Sequence, residues 1–169
     1  MWNTSGCRPR VYTIPLTAIT RLHFHSPTPT KLSQLARVLV GLKGLSCLYL
    51  SVPIVVDLNP VPLPAPCYTT KSSLTRLDLI VHPGGHLLLD WLVNATSFTT
   101  CLKTLAIWIG SQIPQSEIAP VIQGVQALLD NCTRSLEEWY FHTKISVEDF
   151  SSIPKGKQQC NIQLYTYTH

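Results

Sequence analysis

The sequence predicts an α/β chain: a solenoid of about five irregular strand–helix units with a parallel sheet on its concave face. Three observations carry that expectation. The apolar pattern L-x-x-L-x-L, with other large apolar residues allowed, recurs along the 169 residues. Its copies stand at nearly constant intervals. Between copies the apolar spacing changes from the two-residue alternation of a strand to the 3.6-residue period of a helix. A strand and then a helix, repeated at a near-fixed interval, lays parallel strands on one side and helices on the other.

The copies are Ile19, Leu22 and Phe24; Leu45, Leu48 and Leu50; Leu74, Leu77 and Leu79; Leu102, Leu105 and Ile107; and Leu136, Trp139 and Phe141. Their central residues are 26, 29, 28 and 34 positions apart, and a weak sixth copy, Ile162, Tyr165 and Tyr167, follows after 26. Leucine-rich repeats have periods of about 20–29 residues, so the 34-residue interval marks an insertion. In each copy the first apolar residue lies on the turn entering the strand, and the last two share its buried face.

The helices follow from the spacing between copies. Leu32, Leu35, Ala36 and Leu39 form one helical face, with Thr30 as N-cap and Gly41 closing the end. Leu88, Trp91, Leu92 and Ala95 repeat that geometry in a helix over 86–95. Ile118, Val121, Ile122, Val125 and Leu129 repeat it over 117–131, with Ser116 as cap and Glu117 in the first turn. Residues 53–66 hold Pro53, Pro60, Pro62, Pro64 and Pro66. Proline lacks the backbone donor a helix interior needs, so this connection is read as an extended loop crossing the back of the array. Residues 1–15 are an N-terminal extension, 16–145 the repeat domain, and 146–169 a C-terminal segment. That last segment is expected to hold one helical turn at 147–152 and a last partial repeat with a strand over 161–168.

Composition narrows the class. Charged residues are 13% and apolar residues 45%; intrinsic disorder needs low hydrophobicity and high charge. The longest uncharged apolar stretch, 44–56, has 13 residues and contains Pro53, short of the roughly 20 a membrane span needs. The formal net charge is +4, with no run of four Lys or Arg, so neither nucleic acid nor membrane is expected as a partner. The first fifteen residues, MWNTSGCRPRVYTIP, supply no apolar signal core. An intracellular protein of cytoplasm or nucleus is therefore expected, with its six cysteines reduced. The sequons at Asn3, Asn94 and Asn131 are then consequences of Ser/Thr richness.

No catalytic motif stands out. His23 and His25 share one face of the first strand, without a third ligand nearby in sequence. Asp78, His82 and His86 are four apart, but Pro83, Gly84 and Gly85 break any helix that would align them. His82-Pro83-Gly84-Gly85 resembles the oxyanion loop of esterases, yet the G-x-S-x-G elbow occurs nowhere. Neither a metal nor any other cofactor is expected. Trp91 and Trp139 occupy core positions, whereas Trp108 follows Ile107 and alternation turns it outward.

The stretches I-T-R-L-H-F-H, L-A-R-V-L-V-G-L-K-G-L-S-C-L-Y-L, L-T-R-L-D-L, L-L-D-W-L and S-L-E-E-W together resemble the leucine-rich-repeat portion of fungal F-box-type proteins, over roughly residues 16–145. The resemblance implies a repeat fold and substrate recognition for a ubiquitin ligase. Members of that family carry an N-terminal F-box that docks the ligase adaptor. No such helical segment is read before the first repeat, so a truncated or divergent member is expected and adaptor docking is not assigned.

Non-enzymatic protein recognition is thus the expected function; a structural fragment without independent function and a histidine-dependent enzyme are the alternatives. The surface expected to serve it follows from alternation. Residues flanking the central apolar position point outward in three rows: Arg21, Cys47, Arg76, Thr104 and Glu138; His23, Tyr49, Asp78, Ala106 and Tyr140; His25, Ser51, Ile80, Trp108 and His142. Tyr49, Arg76, Trp108 and Tyr140 are the expected partner contacts, joined by His23, Asp78 and Glu138, because Tyr, Trp and Arg dominate binding hot spots.

Overall fold

The computed structural model describes residues 18–55, 74–94, 96–110, 112–143 and 163–166. Its strands are β1 (Arg21–His25), β2 (Thr30–Lys31), β3 (Cys47–Ser51), β4 (Ile54–Val55), β5 (Arg76–Val81), β6 (Thr104–Ile109), β7 (Glu138–Thr143) and β8 (Gln163–Thr166). The helices are α1 (Leu32–Gly41), α2 (Gly85–Asn94), α3 (Thr96–Thr99) and α4 (Gln115–Cys132). Six strands form one parallel sheet in the order β1-β3-β5-β6-β7-β8, and β2 pairs with β4 in a separate parallel ladder.

The order is sequential, and the register aligns the repeat copies residue for residue. Leu22, Leu48, Leu77, Leu105 and Trp139 are successive partners, as are Phe24, Leu50, Leu79, Ile107 and Phe141. Both rows join one apolar cluster with Leu35 and Leu39 of α1, Leu88 and Leu92 of α2, and Val121 and Val125 of α4. These strand residues share one face, so the three long helices pack on the same side of the sheet. Trp91 and Trp139 are buried in that cluster.

The turns entering the strands also repeat. The Thr20 carbonyl accepts N–H bonds from both Ser46 and Cys47. Ser46 accepts from Thr75 and Arg76, Thr75 from Lys103 and Thr104, and Lys103 from Glu137 and Glu138. One carbonyl per unit thus satisfies two consecutive donors of the next, while Leu45, Leu74, Leu102 and Leu136 are buried beneath these turns.

Several expectations need correction. Thr30 does not cap α1: its N–H donates to the Pro53 carbonyl at 2.9 Å, which draws it into β2, and Lys31 precedes the helix without a side-chain cap. Ser116 lies inside α4, which starts one residue earlier behind Pro114. The Pro-rich loop begins with a short strand, since Ile54 and Val55 form β4; residues 56–66 lie outside the described residues. So do the N-terminal extension 1–15, Ala95 and the helical turn at 147–152. The sixth copy exists as β8 in a different register: Leu164 pairs with Phe141 and Tyr165 with His142. Tyr165 is therefore the register partner of His142 and not of Trp139, the central residue of the fifth copy.

Helix α4 packs closely on α2. A Cβ on Gly124 would come within 2.8 Å of the Leu89 Cβ, so glycine there permits the approach. The Asn131 side-chain amide also donates to the Val93 carbonyl at 3.0 Å, tying the ends of the two helices. Among the described residues no helix is long and apolar enough to cross a membrane.

Candidate interaction face

The side of the sheet opposite the helices carries the three outward rows in the expected register. In the middle row the rings of His23 and Tyr49 stack at 4.8 Å with 15° between their planes. Asp78 accepts from Arg76 Nε at 3.0 Å, two residues along the same strand. This bond and the adjacent negative charge raise the Arg76 pKa, so the guanidinium is held firmly in its charged state. Glu138 receives the Thr104 hydroxyl at 3.4 Å and the Tyr140 hydroxyl at 3.5 Å.

Six of the seven expected contacts fall into two groups, and His23 stacks on Tyr49. Arg76 and Asp78 form one polar pair, and Glu138 and Tyr140 another; Arg76 and Glu138 belong to the row nearest the amino ends of the strands. Tyr49 and Trp108 instead line a common cavity of about 510 Å3 toward the carboxyl ends. Two outward positions make poor contacts. Ala106 is 1% exposed and Ser51 2%. Ala106 has a short side chain and lies in register between the larger Asp78 and Tyr140.

Ser51 is engaged by a residue from the next unit: its Oγ lies 3.1 Å from His82 Nε2. Burial lowers the His82 pKa, and the charge of His25 lowers it further. A serine bonded to a histidine invites comparison with a nucleophile and its base. The glycines beside it, however, are already committed. The Gly84 N–H donates to Glu117 Oε2 at 2.6 Å and the Gly85 N–H to the His82 carbonyl at 2.9 Å. Neither donor is available for a developing oxyanion, and Ser51 Oγ belongs to a buried residue. His82-Pro83-Gly84-Gly85 is a turn into α2, with Gly84 at φ +77°.

Asp78, His82 and His86 do not converge as ligands: they belong to β5, the following loop and α2, and His86 faces Glu117 at 3.3 Å. Among the described residues no group of three His, Cys, Asp or Glu could hold a metal ion.

The cavity is the feature sequence reasoning missed. Besides Tyr49, Ile80, Trp108 and His142, its walls include His82 and Pro83 from the loop after β5, and Gly110, Gln112 and Ile113 from the loop after β6. The available signal was positional. Ligands of open parallel sheets gather beyond the carboxyl ends of the strands, where these two loops begin. In comparison with known proteins, no family model, no curated protein and no solved structure matches the chain.

Proposed function

We propose that the chain is a leucine-rich-repeat solenoid that acts as a non-enzymatic protein-recognition module. The repeat reading is supported by the carbonyls of Thr20, Ser46, Thr75 and Lys103, each accepting the same pair of bonds from the next unit. A stacked-repeat array consists of such equivalent units contacting only their neighbours. The recognition reading rests chiefly on one observation. The sheet face opposite the helices presents Tyr49, Arg76, Trp108 and Tyr140 at partly or fully exposed positions in neighbouring rows. Half-buried aromatics beside an ordered guanidinium are the anchors on which interfaces depend. Following the family resemblance, the role we propose for this face is capture of a substrate for ubiquitin ligation, with His23, Asp78 and Glu138 at the margin of the contact.

The test is a pull-down with the wild type and a Tyr49→Ala, Trp108→Ala, Tyr140→Ala triple variant whose fold is verified by circular dichroism. Loss of partners recovered by the wild type is expected. Unchanged recovery of every partner would rule this surface out.

A further inference from the structure

Cys47 stands between two arginines. It pairs in register with Arg21 of β1 and Arg76 of β5, so the three side chains share the outward row nearest the amino ends of the strands. Neighbouring strands lie about 4.8 Å apart, which sets one arginine on either side of the sulfur. Cys47 is a free, partly exposed thiol, and both arginines are exposed. The Arg76 charge is held first by the bond to Asp78 and the charge of that carboxylate, and further by Cys47 itself. Guanidinium and sulfur are therefore within electrostatic reach. The Ser46 hydroxyl lies 3.9 Å from the sulfur, but its better acceptor is the Thr20 carbonyl at 2.9 Å. Asp78 balances Arg76. Arg21 makes no ion pair among the described residues, so this end of the row keeps a net positive charge beside the thiol.

Cys101 supplies the contrast. It is also free and partly exposed, yet the lysine two positions on, Lys103, is balanced by Glu137 at 2.7 Å. Uncompensated positive charge raises the local concentration of an anionic reactant and lowers that of a cationic one. We propose that Cys47 is a site of mixed-disulfide formation selective for anionic small-molecule disulfides, with glutathione disulfide as the type. The Cys47 thiolate attacks one sulfur of the disulfide, a new S–S bond forms and the old one breaks. The electron pair leaves on the second sulfur, which takes up the proton that Cys47 released. The Cys47 sulfur is oxidised and the departing thiol is reduced. The inference is independent of the protein-recognition reading, since its readout is a covalent adduct.

The test treats the full chain at pH 8 with anionic glutathione disulfide, neutral hydroxyethyl disulfide and cationic cystamine. Peptide mapping reads the adduct at each cysteine separately, and the neutral reagent corrects for access and intrinsic reactivity. Relative to Cys101, Cys47 is expected to favour glutathione disulfide over the neutral reagent by about three- to ten-fold and to disfavour cystamine. That scale is set by one or two charges at about 5–10 Å in water, and it should shrink in about 0.5 M salt. Arg21→Gln should lower the preference and Arg21→Lys should keep it. Asp78→Asn should raise it, because the Arg76 charge is then unopposed. A Cys47 that takes up glutathione disulfide no faster than the neutral reagent, relative to Cys101, would overturn the proposal. So would a preference indifferent to both Arg21→Gln and Asp78→Asn, or a Cys47 that reacts with none of the three disulfides.

Discussion

The Glu117 carboxylate accepts the backbone N–H of Gly84 at 2.6 Å, joining the first turn of α4 to the loop that starts α2. The same oxygen lies 3.3 Å from His86 Nδ1. On the other side of the loop, the Ile54 N–H donates to the Pro83 carbonyl at 3.2 Å. Two units and the short β4 strand thus converge on one turn, and that turn contributes His82 and Pro83 to the cavity.

Gly84→Ala is expected to destabilise the chain. Gly84 has φ +77°, and a Cβ there would overlap the Ile54 carbonyl oxygen. Backbone strain alone costs about 1–3 kcal/mol. Glu117→Gln keeps an acceptor but loses its charge, so about 1 kcal/mol should go, the difference between a charged and a neutral hydrogen bond. Urea denaturation checks both. A Gly84→Ala variant as stable as wild type would mean that the loop has another conformation.

Leu77→Ala should cost about 2–5 kcal/mol. Leu77 is fully buried and in register between Leu48 and Leu105, so truncation leaves a cavity between units that the neighbouring strands cannot close. The expected readout is a lower urea midpoint with an unchanged slope. A loss below about 1 kcal/mol would show that this row is not a continuous core.

The core rows were legible because burial on one sheet face selects large apolar residues at every second position, and a one-residue slip would expose all of them. Leu48, Leu77 and Leu105 could therefore be aligned from sequence. The β2–β4 ladder could not, since two-residue strands carry no period and Thr30 resembles a cap equally well. The last strand was misregistered because Ile162 and Leu164 alternate against Tyr165 and Tyr167, and either pair suits a buried face. Outward positions were placed correctly in their rows, but alternation states direction and not exposure. Ser51 is closed off by His82 from the next unit, a contact set by the third dimension. The cavity owes half its wall to loops whose residues follow no periodic rule.

Cys132 should resist alkylation in the folded chain. Burial at the end of α4 pushes its thiol up to about 12, and the thiolate is the reactive form. Cys47 and Cys101 are free and partly exposed. Iodoacetamide at pH 8, followed by peptide mapping, should label Cys47 and Cys101 well before Cys132. Labelling of Cys132 should appear on addition of urea. Equal labelling of all three without denaturant would contradict the packing of α4 against the sheet.

His82 should make stability depend on pH in a defined direction. Its folded pKa is lowered from the ordinary 6.5, first by burial and then by the nearby His25 charge. The unfolded chain therefore takes up the proton more readily than the folded one. Above pH 6.5 His82 is neutral in both states and its contribution is complete. As pH falls below 6.5 the unfolded state gains protons first, so stability declines until the pH has passed through the lower folded value. Protonation also leaves Nε2 able only to donate, so Ser51 Oγ must then accept across the 3.1 Å contact. Comparison with a His82 variant isolates this contribution. Urea unfolding at pH 7.5 and pH 5 should show a smaller acid loss for His82→Gln than for wild type. His25→Gln should reduce the loss in part, because it removes the second cause and leaves the burial. Equal losses in wild type and His82→Gln would remove His82 from the pH dependence of folding.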